Sequence, residues 1–161
     1  MACEPRIRQA GADEGPALFA VFYSAVHQVC SRDYTPAQCA AWAPATLDAP
    51  DWHARILALQ PLVIDVAGEV VAFADLQADG QIDCFYVHGQ QQGRGYGGML
   101  LQALIAKASV MKLADVYSEV SLSAQPFFLR HGFVIEQALR VQCRGQWFDN
   151  ARMRLTLGTS C

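Results

Sequence analysis

An α+β fold is predicted by three observations. Apolar residues repeat at three- and four-residue steps through the first third of the chain, fall into strand-length blocks after Pro61, and return once to a helical period after a glycine-rich loop. The strands come as an antiparallel run, then one crossover helix, then further strands, which implies a mixed, mainly antiparallel sheet with helices on both faces. With 161 residues, 53% of them apolar and 17% charged, the chain is long enough for one domain, residues 1–161, with a real core. No repeat or Pro/Gly/Ser linker marks a boundary between modules.

The elements follow in order. Arg6-Ile7-Arg8-Gln9-Ala10 is a short strand, and Asp13-Glu14-Gly15-Pro16 supplies acid and proline for a helix first turn. From Ala17 to Cys30, Leu18, Val21, Phe22, Ala25, Val26 and Val29 form one apolar face. Thr35 caps a second helix with Pro36 at its first position, stopped by Pro44; a third begins after Pro50. The strands Leu62–Ala67, Val70–Gln77 and Gln81–His88 are joined by Gly68-Glu69 and Asp79-Gly80 turns. Gly97–Lys112 is a helix, Val116–Leu122 a strand, and Pro126–Arg130 a short helix ended by Gly132. Two strands, Phe133 to Arg144 and Gln146 to Leu157, close the fold through an Arg144-Gly145 hairpin turn.

Composition excludes several function classes. The net charge of −3, with Lys and Arg spread singly, gives no basic stripe for nucleic acid. No apolar run approaches the ~18–20 residues of a membrane span, and the N-terminus lacks the apolar core of a secretory signal, so no membrane partner and a cytoplasmic location are expected. Cys3, Cys30, Cys39, Cys84, Cys143 and Cys161 form no Cys-x-x-Cys or Cys/His cluster, so neither a metal site nor a disulfide framework is expected. The exposed edge of the final strand offers a route to a homodimer.

The most informative segment is Tyr86–Leu101, a strand that breaks into glycines at Gly93, Gly95, Gly97 and Gly98 and then becomes an apolar helix. Alternating glycines turn the backbone sharply and bare its N–H groups, and the helix adds its positive dipole end, so a phosphorylated ligand is expected here. Gly93, Gly95 and Gly98 satisfy Gly-x-Gly-x-x-Gly, with Glu119 about 20 residues further on, as in dinucleotide sites. In those sites, however, the motif opens the first βαβ unit directly after its strand, whereas here it comes late. A Walker loop is excluded because no Gly-Lys-Ser or Gly-Lys-Thr follows.

Val87-His88-Gly89-Gln90-Gln91-Gln92-Gly93-Arg94-Gly95-Tyr96-Gly97 resembles the acyl-CoA pyrophosphate loop of the GNAT N-acetyltransferase superfamily, with pattern Gln/Arg-x-x-Gly-x-Gly/Ala. Gln92, Gly95 and Gly97 fill the fixed places, and Gly89 stands where many members have proline. Ser121–Phe133 resembles the family segment Asn-x-x-Ala-x-x-Phe-Tyr-x-x-x-Gly-Phe, with Ser121 for Asn and Phe128 at the Tyr position that in many members protonates the departing thiolate. Trp42-Ala43-Pro44 and Asn150-x-x-Met153 are similar to one bacterial branch of small uncharacterised members. The resemblance implies a twisted GNAT-like sheet, acetyl-CoA as co-substrate and transfer of its acetyl group to a primary amine of a small molecule or protein by direct attack. It places the pantetheine arm on the strand of Phe85 and Val87 and the pyrophosphate on the backbone of Gln92, Gly93, Arg94, Gly95, Tyr96, Gly97 and Gly98. Ser121, Phe127 and Phe128 complete the cofactor cleft.

Amine acetylation needs an uncharged nitrogen and a route for protons off nitrogen and onto sulfur. Asp83, a carboxylate within an otherwise apolar strand, is the candidate base, or else marks a wet face of that strand or pairs with a cation. Tyr86 is a candidate hydrogen-bonding or acid residue, and strand alternation places it on the face opposite Asp83. With Phe128 unable to donate, Ser121, Ser123, Tyr117, His131 or water is left as the acid. His131 also reads as a helix-end residue and His88 as pointing outward. Gln92 either donates its amide to a phosphate, the reading the resemblance favours, or starts the turn; Arg94 pairs with a phosphate or is merely solvated. Tyr34, Trp42 and Trp52 are candidates for an aromatic acceptor pocket, or else core. An alternative from another class is an acyl-CoA-binding sensor or interaction module with little turnover.

Overall fold

A computed structural model describes residues 4–45 and 49–158, so Cys3 and Cys161 lie outside the described residues. β1 (Arg6–Gln9), β2 (Leu62–Val66), β3 (Glu69–Ala74) and β4 (Phe85–Val87) pair antiparallel in that order. β5 (Asp115–Ser121), β6 (Val134–Cys143) and β7 (Gln146–Thr156) form a second antiparallel sheet, ordered β5-β7-β6. Among the described residues the two meet at a single parallel bridge, Gln81 to Tyr117. Around it, Ile82 N–H donates to Tyr117 O at 2.8 Å and Tyr117 N–H to Gly80 O at 3.0 Å. Beyond that point β4 and β5 pair only with outer neighbours, so the sheet is split at its centre.

The expected strand Gln81–His88 therefore shortens to three residues, and Asp75 is the physical reason. Its backbone N–H donates to Cys84 O at 3.2 Å. The return bond goes to its side chain: Oδ1 accepts the N–H of Cys84 at 2.7 Å and that of Asp83 at 2.9 Å. A carboxylate thus replaces a main-chain carbonyl in the ladder, and the segment before Phe85 leaves the regular register.

Helices cover both faces. α1 (Gly15–Gln28), α2 (Pro36–Trp42) and α3 (Ala49–Ala58) enclose a core of Leu18, Val26, Ile56, Val63 and Phe73. α4 (Tyr96–Val110) and α5 (Gln125–Arg130) enclose the other, built on Ile64, Ala72, Leu101, Leu104 and Phe133. α2 starts as its sequence dictates, with Thr35 Oγ1 accepting Gln38 N–H at 3.1 Å and the Gln38 side chain accepting Thr35 N–H at 2.8 Å. α1 is clasped to the first sheet through Arg8, which donates to both Glu14 oxygens, at 2.6 and 2.8 Å, and to Asp65 at 3.0 Å. The Arg8 hydrogen bonds hold the Glu14 carboxyl down at about 2.

Trp52 belongs to this packing and not to a pocket: it is 5% exposed, stacked on Phe22 at 5.3 Å and edge-on to Phe73. The final strand also departs from expectation. β7 lies between β5 and β6 and has no free edge; β6 is the edge strand, with Val134 and Ile135 exposed. Consecutive hairpin strands must neighbour each other, but which of the two returns to β5 is a tertiary choice.

Candidate active site

The split between β4 and β5 opens into a cleft of about 650 Å³, within the usual range for small-ligand sites. The bonds that bracket β4, Asp75 N–H to Cys84 O and His88 N–H to Val71 O, turn the even-numbered backbone groups toward β3. By alternation, those of Phe85 and Val87 face the open edge. Ser118 and Val120 line the opposite wall, and Phe127 and Phe128 of α5 line its side.

At one end of the cleft stands the glycine loop. Gly93 and Gly95 have φ of 76° and 83°, in the left-handed region that L side chains avoid, and nothing lies within 4 Å of a Cβ at either. Their glycine character is thus a demand of backbone conformation, not of space. Gly95 precedes α4 without a capping side chain, and the first helical bond is Met99 N–H to Gly95 O at 3.1 Å. The N–H groups of Tyr96, Gly97 and Gly98 are left without helical acceptors beside the cleft. At Gly97 the limit is space, since a Cβ would meet the Phe127 ring at 3.2 Å.

The loop is anchored from below. Gly89 N–H donates to Ser24 Oγ of α1 at 2.8 Å, a bond that proline could not make. A Cβ there would lie 2.7 Å from Gln28 Cβ and 2.8 Å from Ser24 Oγ. His88, expected to point outward, instead turns toward α1: its Nδ1 lies 3.2 Å from Ser24 Oγ and accepts Gln90 N–H at 3.1 Å. The Gln92 amide donates to Val87 O at 2.9 Å. Arg94 is exposed and outside the cleft wall; the arginines on the wall are Arg32 and Arg130, which the sequence reading did not single out.

A second cavity of about 220 Å³ adjoins the cleft on the side of α2 and the β6–β7 hairpin. Tyr34, Trp42 and Phe148 give it aromatic walls. Trp42, Asp83, Tyr86, Glu119 and Ser121 line both spaces and so mark their junction. Asp83 is exposed there, not enclosed in an apolar strand, and its carboxylate has no hydrogen bond or ion pair among the described residues. Tyr86 shares the junction with it: Asp83 lies outside the regular ladder, so the alternation that separated the two does not extend to it. Burial pushes the Tyr86 phenol well above its ordinary value, so it holds its proton across the physiological range.

The other candidate acids are sorted by their partners. Ser123 donates to the Asp33 carboxylate at 2.8 Å and Tyr117 to that of Asp79 at 2.7 Å, so both protons are engaged. Ser121 Oγ accepts Ala124 N–H at 3.3 Å and lines the cleft. Phe128 is 2% exposed, edge-on to Phe85, Phe127 and Phe133. His131 lies against Phe127, ring centroids 4.5 Å apart, and also lines the cleft. No group of three metal-ligating side chains occurs among the described residues.

Glu119 and Asp75 were missed as site residues. Glu119 was noticed only for its distance from the glycines, although alternation along Val116–Ser121 sets it on the face of Tyr117 and Ser121. Asp75, flanked by Ala74 and Leu76, carries the same signal that picked Asp83, and at 1% exposure it is the carboxylate that is enclosed. Burial raises its pKa more than its N–H donors lower it. The ionised form therefore weighs against folding above that raised value, and the burden lifts as pH falls through it. Asp75→Asn, which keeps the acceptor oxygen without charge, is expected to be at least as stable as wild type at pH 7. Wild type should gain on it as the pH is lowered. Asp75→Ala leaves two N–H groups unpaired and is expected to cost about 2–4 kcal/mol in urea melts.

The centrally split sheet, with uncapped helix N–H groups at one end of the gap and a second cavity meeting it at a carboxylate and a phenol, suits an extended ligand with an anionic end that meets a second molecule at the junction. The family model for the acetyltransferase (GNAT) domain matches residues 30–157. The chain belongs to the GNAT acetyltransferase family. It is an acetyl-CoA-dependent N-acetyltransferase, with acetyl-CoA as co-substrate. It is similar to the uncharacterized N-acetyltransferase YafP of Escherichia coli K12, with 34% identity over 85% of this chain and 86% of that one. A GCN5-related N-acetyltransferase of Rhodopseudomonas palustris superposes with a TM-score of 0.91 at 29% identity, covering 98% of each chain. The fold is shared with yncA of Salmonella typhimurium, solved with its cofactor acetyl-CoA, at a TM-score of 0.69, 23% identity and coverage of 98% and 96%. No helix among the described residues is long and apolar enough to cross a membrane.

Proposed function

We propose that the protein moves the acetyl group of acetyl-CoA to a primary amine by direct attack. The observation that carries this reading is the meeting of the two cavities at Asp83, Tyr86 and Ser121. The pyrophosphate is held by the N–H groups from Gly95 to Gly98, and the pantetheine amides by the open edge at Phe85 and Val87. The amine enters from the second cavity. Its nitrogen attacks the thioester carbonyl, the C–N bond forms as the C–S bond breaks, and Asp83 takes the proton that the ammonium must lose. Sulfur leaves as thiolate and receives the second proton that the acylated nitrogen sheds, relayed through the Ser121 or Tyr86 hydroxyl, which ends as it began; with a thiol pKa of about 8.5 it is already a fair leaving group, so Phe128 in place of a donor is tolerable.

The test is CoA-thiol release with a panel of amines, run beside calorimetric titration of acetyl-CoA. Saturable binding with acceptor-dependent thiol release is expected. Tight binding with no release on any acceptor would favour the acyl-CoA-binding module.

A further inference from the structure

The second cavity has no cation in its wall. Two carboxylates, Asp83 and Glu119, line it, and no lysine or arginine does. Asp83 is unpaired among the described residues, and Glu119 has only a loose contact, 3.9 Å, with Arg152, which reaches it from outside the wall. Asn150 also lines the cavity, and its carboxamide oxygen is shielded from solvent with no hydrogen-bond partner. Tyr34, Trp42, Tyr86 and Phe148 supply aromatic walls, which exclude water from an apolar body. At about 220 Å³ the space is below that of drug-sized ligand sites.

Resting on the transfer reading above, we infer that the acceptor is a small cationic amine with an apolar or aromatic body and no carboxylate of its own. The ammonium is drawn to Asp83 and Glu119, its N–H groups match acceptor oxygens, and the body lies on the rings. An amino acid with a free carboxylate would bring a third negative charge to a wall that offers it no partner. A few ångströms from two like charges, that group is disfavoured by a factor of about 30 or more.

Matched pairs that differ only in the carboxylate test this: phenethylamine against phenylalanine and isoamylamine against leucine. Each is titrated calorimetrically into the CoA-saturated protein and assayed in parallel for thiol release from acetyl-CoA. Each amine is expected to bind about 30-fold or more tighter than its amino acid, and Glu119→Gln, a change at an exposed position, to reduce that preference about tenfold. Equal or tighter binding of the amino acids, or no binding of either amine at about 10 mM, overturns the inference. Amines that bind with the expected preference but are never acetylated leave the cavity's choice of a carboxylate-free cation standing and defeat the transfer reading, and with it their role as acceptors.

Discussion

Gly95→Glu is expected to lose acetyl-CoA affinity by about 100-fold or more while remaining folded. Two effects add. At φ 83° an L side chain costs roughly 1–2 kcal/mol, taken from loop stability. The larger effect is charge, because the new carboxylate stands at the start of α4, beside the N–H groups proposed to hold the pyrophosphate. Two unit charges about 4 Å apart at an effective dielectric near 20 repel by ~4 kcal/mol, and every ~1.4 kcal/mol is tenfold in affinity. Gly95→Ala separates the two: it carries the backbone strain without the charge, and its affinity is expected to fall less than about tenfold. Calorimetry at two salt concentrations checks this, since the Glu deficit should shrink with salt and the Ala deficit should not. Native affinity in a folded Gly95→Glu protein would remove the pyrophosphate from this loop.

Asp83→Asn is expected to lower kcat about 100-fold or more for alkylamines, with acetyl-CoA affinity unchanged. The reasoning is chemical: an alkylamine arrives protonated, and one carboxylate at the junction is free of partners and placed to take that proton. An acceptor of low pKa, already uncharged at the assay pH, is expected to lose much less. Equal losses for both kinds of acceptor would reduce Asp83 to a binding group. An unchanged rate for both would exclude it from the chemistry.

The parts of the fold written in local chemistry were legible. Thr35-Pro36 opens a helix because the capping hydroxyl and the missing N–H act within one turn. Arg144 and Gly145, with φ of 46° and 84°, turn the last hairpin as the dipeptide suggests, and Gly93 and Gly95 read directly as backbone bends. What required the third dimension was direction. Asp75 and Asp83 have near-identical apolar neighbours, yet one carboxylate is buried as a ladder acceptor and the other is free at the cavity junction. Trp42 and Trp52 both follow short helical signals, and only packing decides that Trp42 lines the site and Trp52 fills the core. Periodicity assigns a residue to a face of its own element; it does not say what that face meets.

The split between β4 and β5 leaves the sheet unfinished at its middle, where most proteins are most completely bonded. Exposed outer edges are ordinarily blunted; here an inner edge is kept vacant by a buried carboxylate and a single bridge. A ligand that lays its own amides along Phe85 and Val87 acts as the absent strand. With the co-substrate's amides placed there as proposed, occupancy and fold stability are one linked quantity, and the sheet is completed only while the ligand is held.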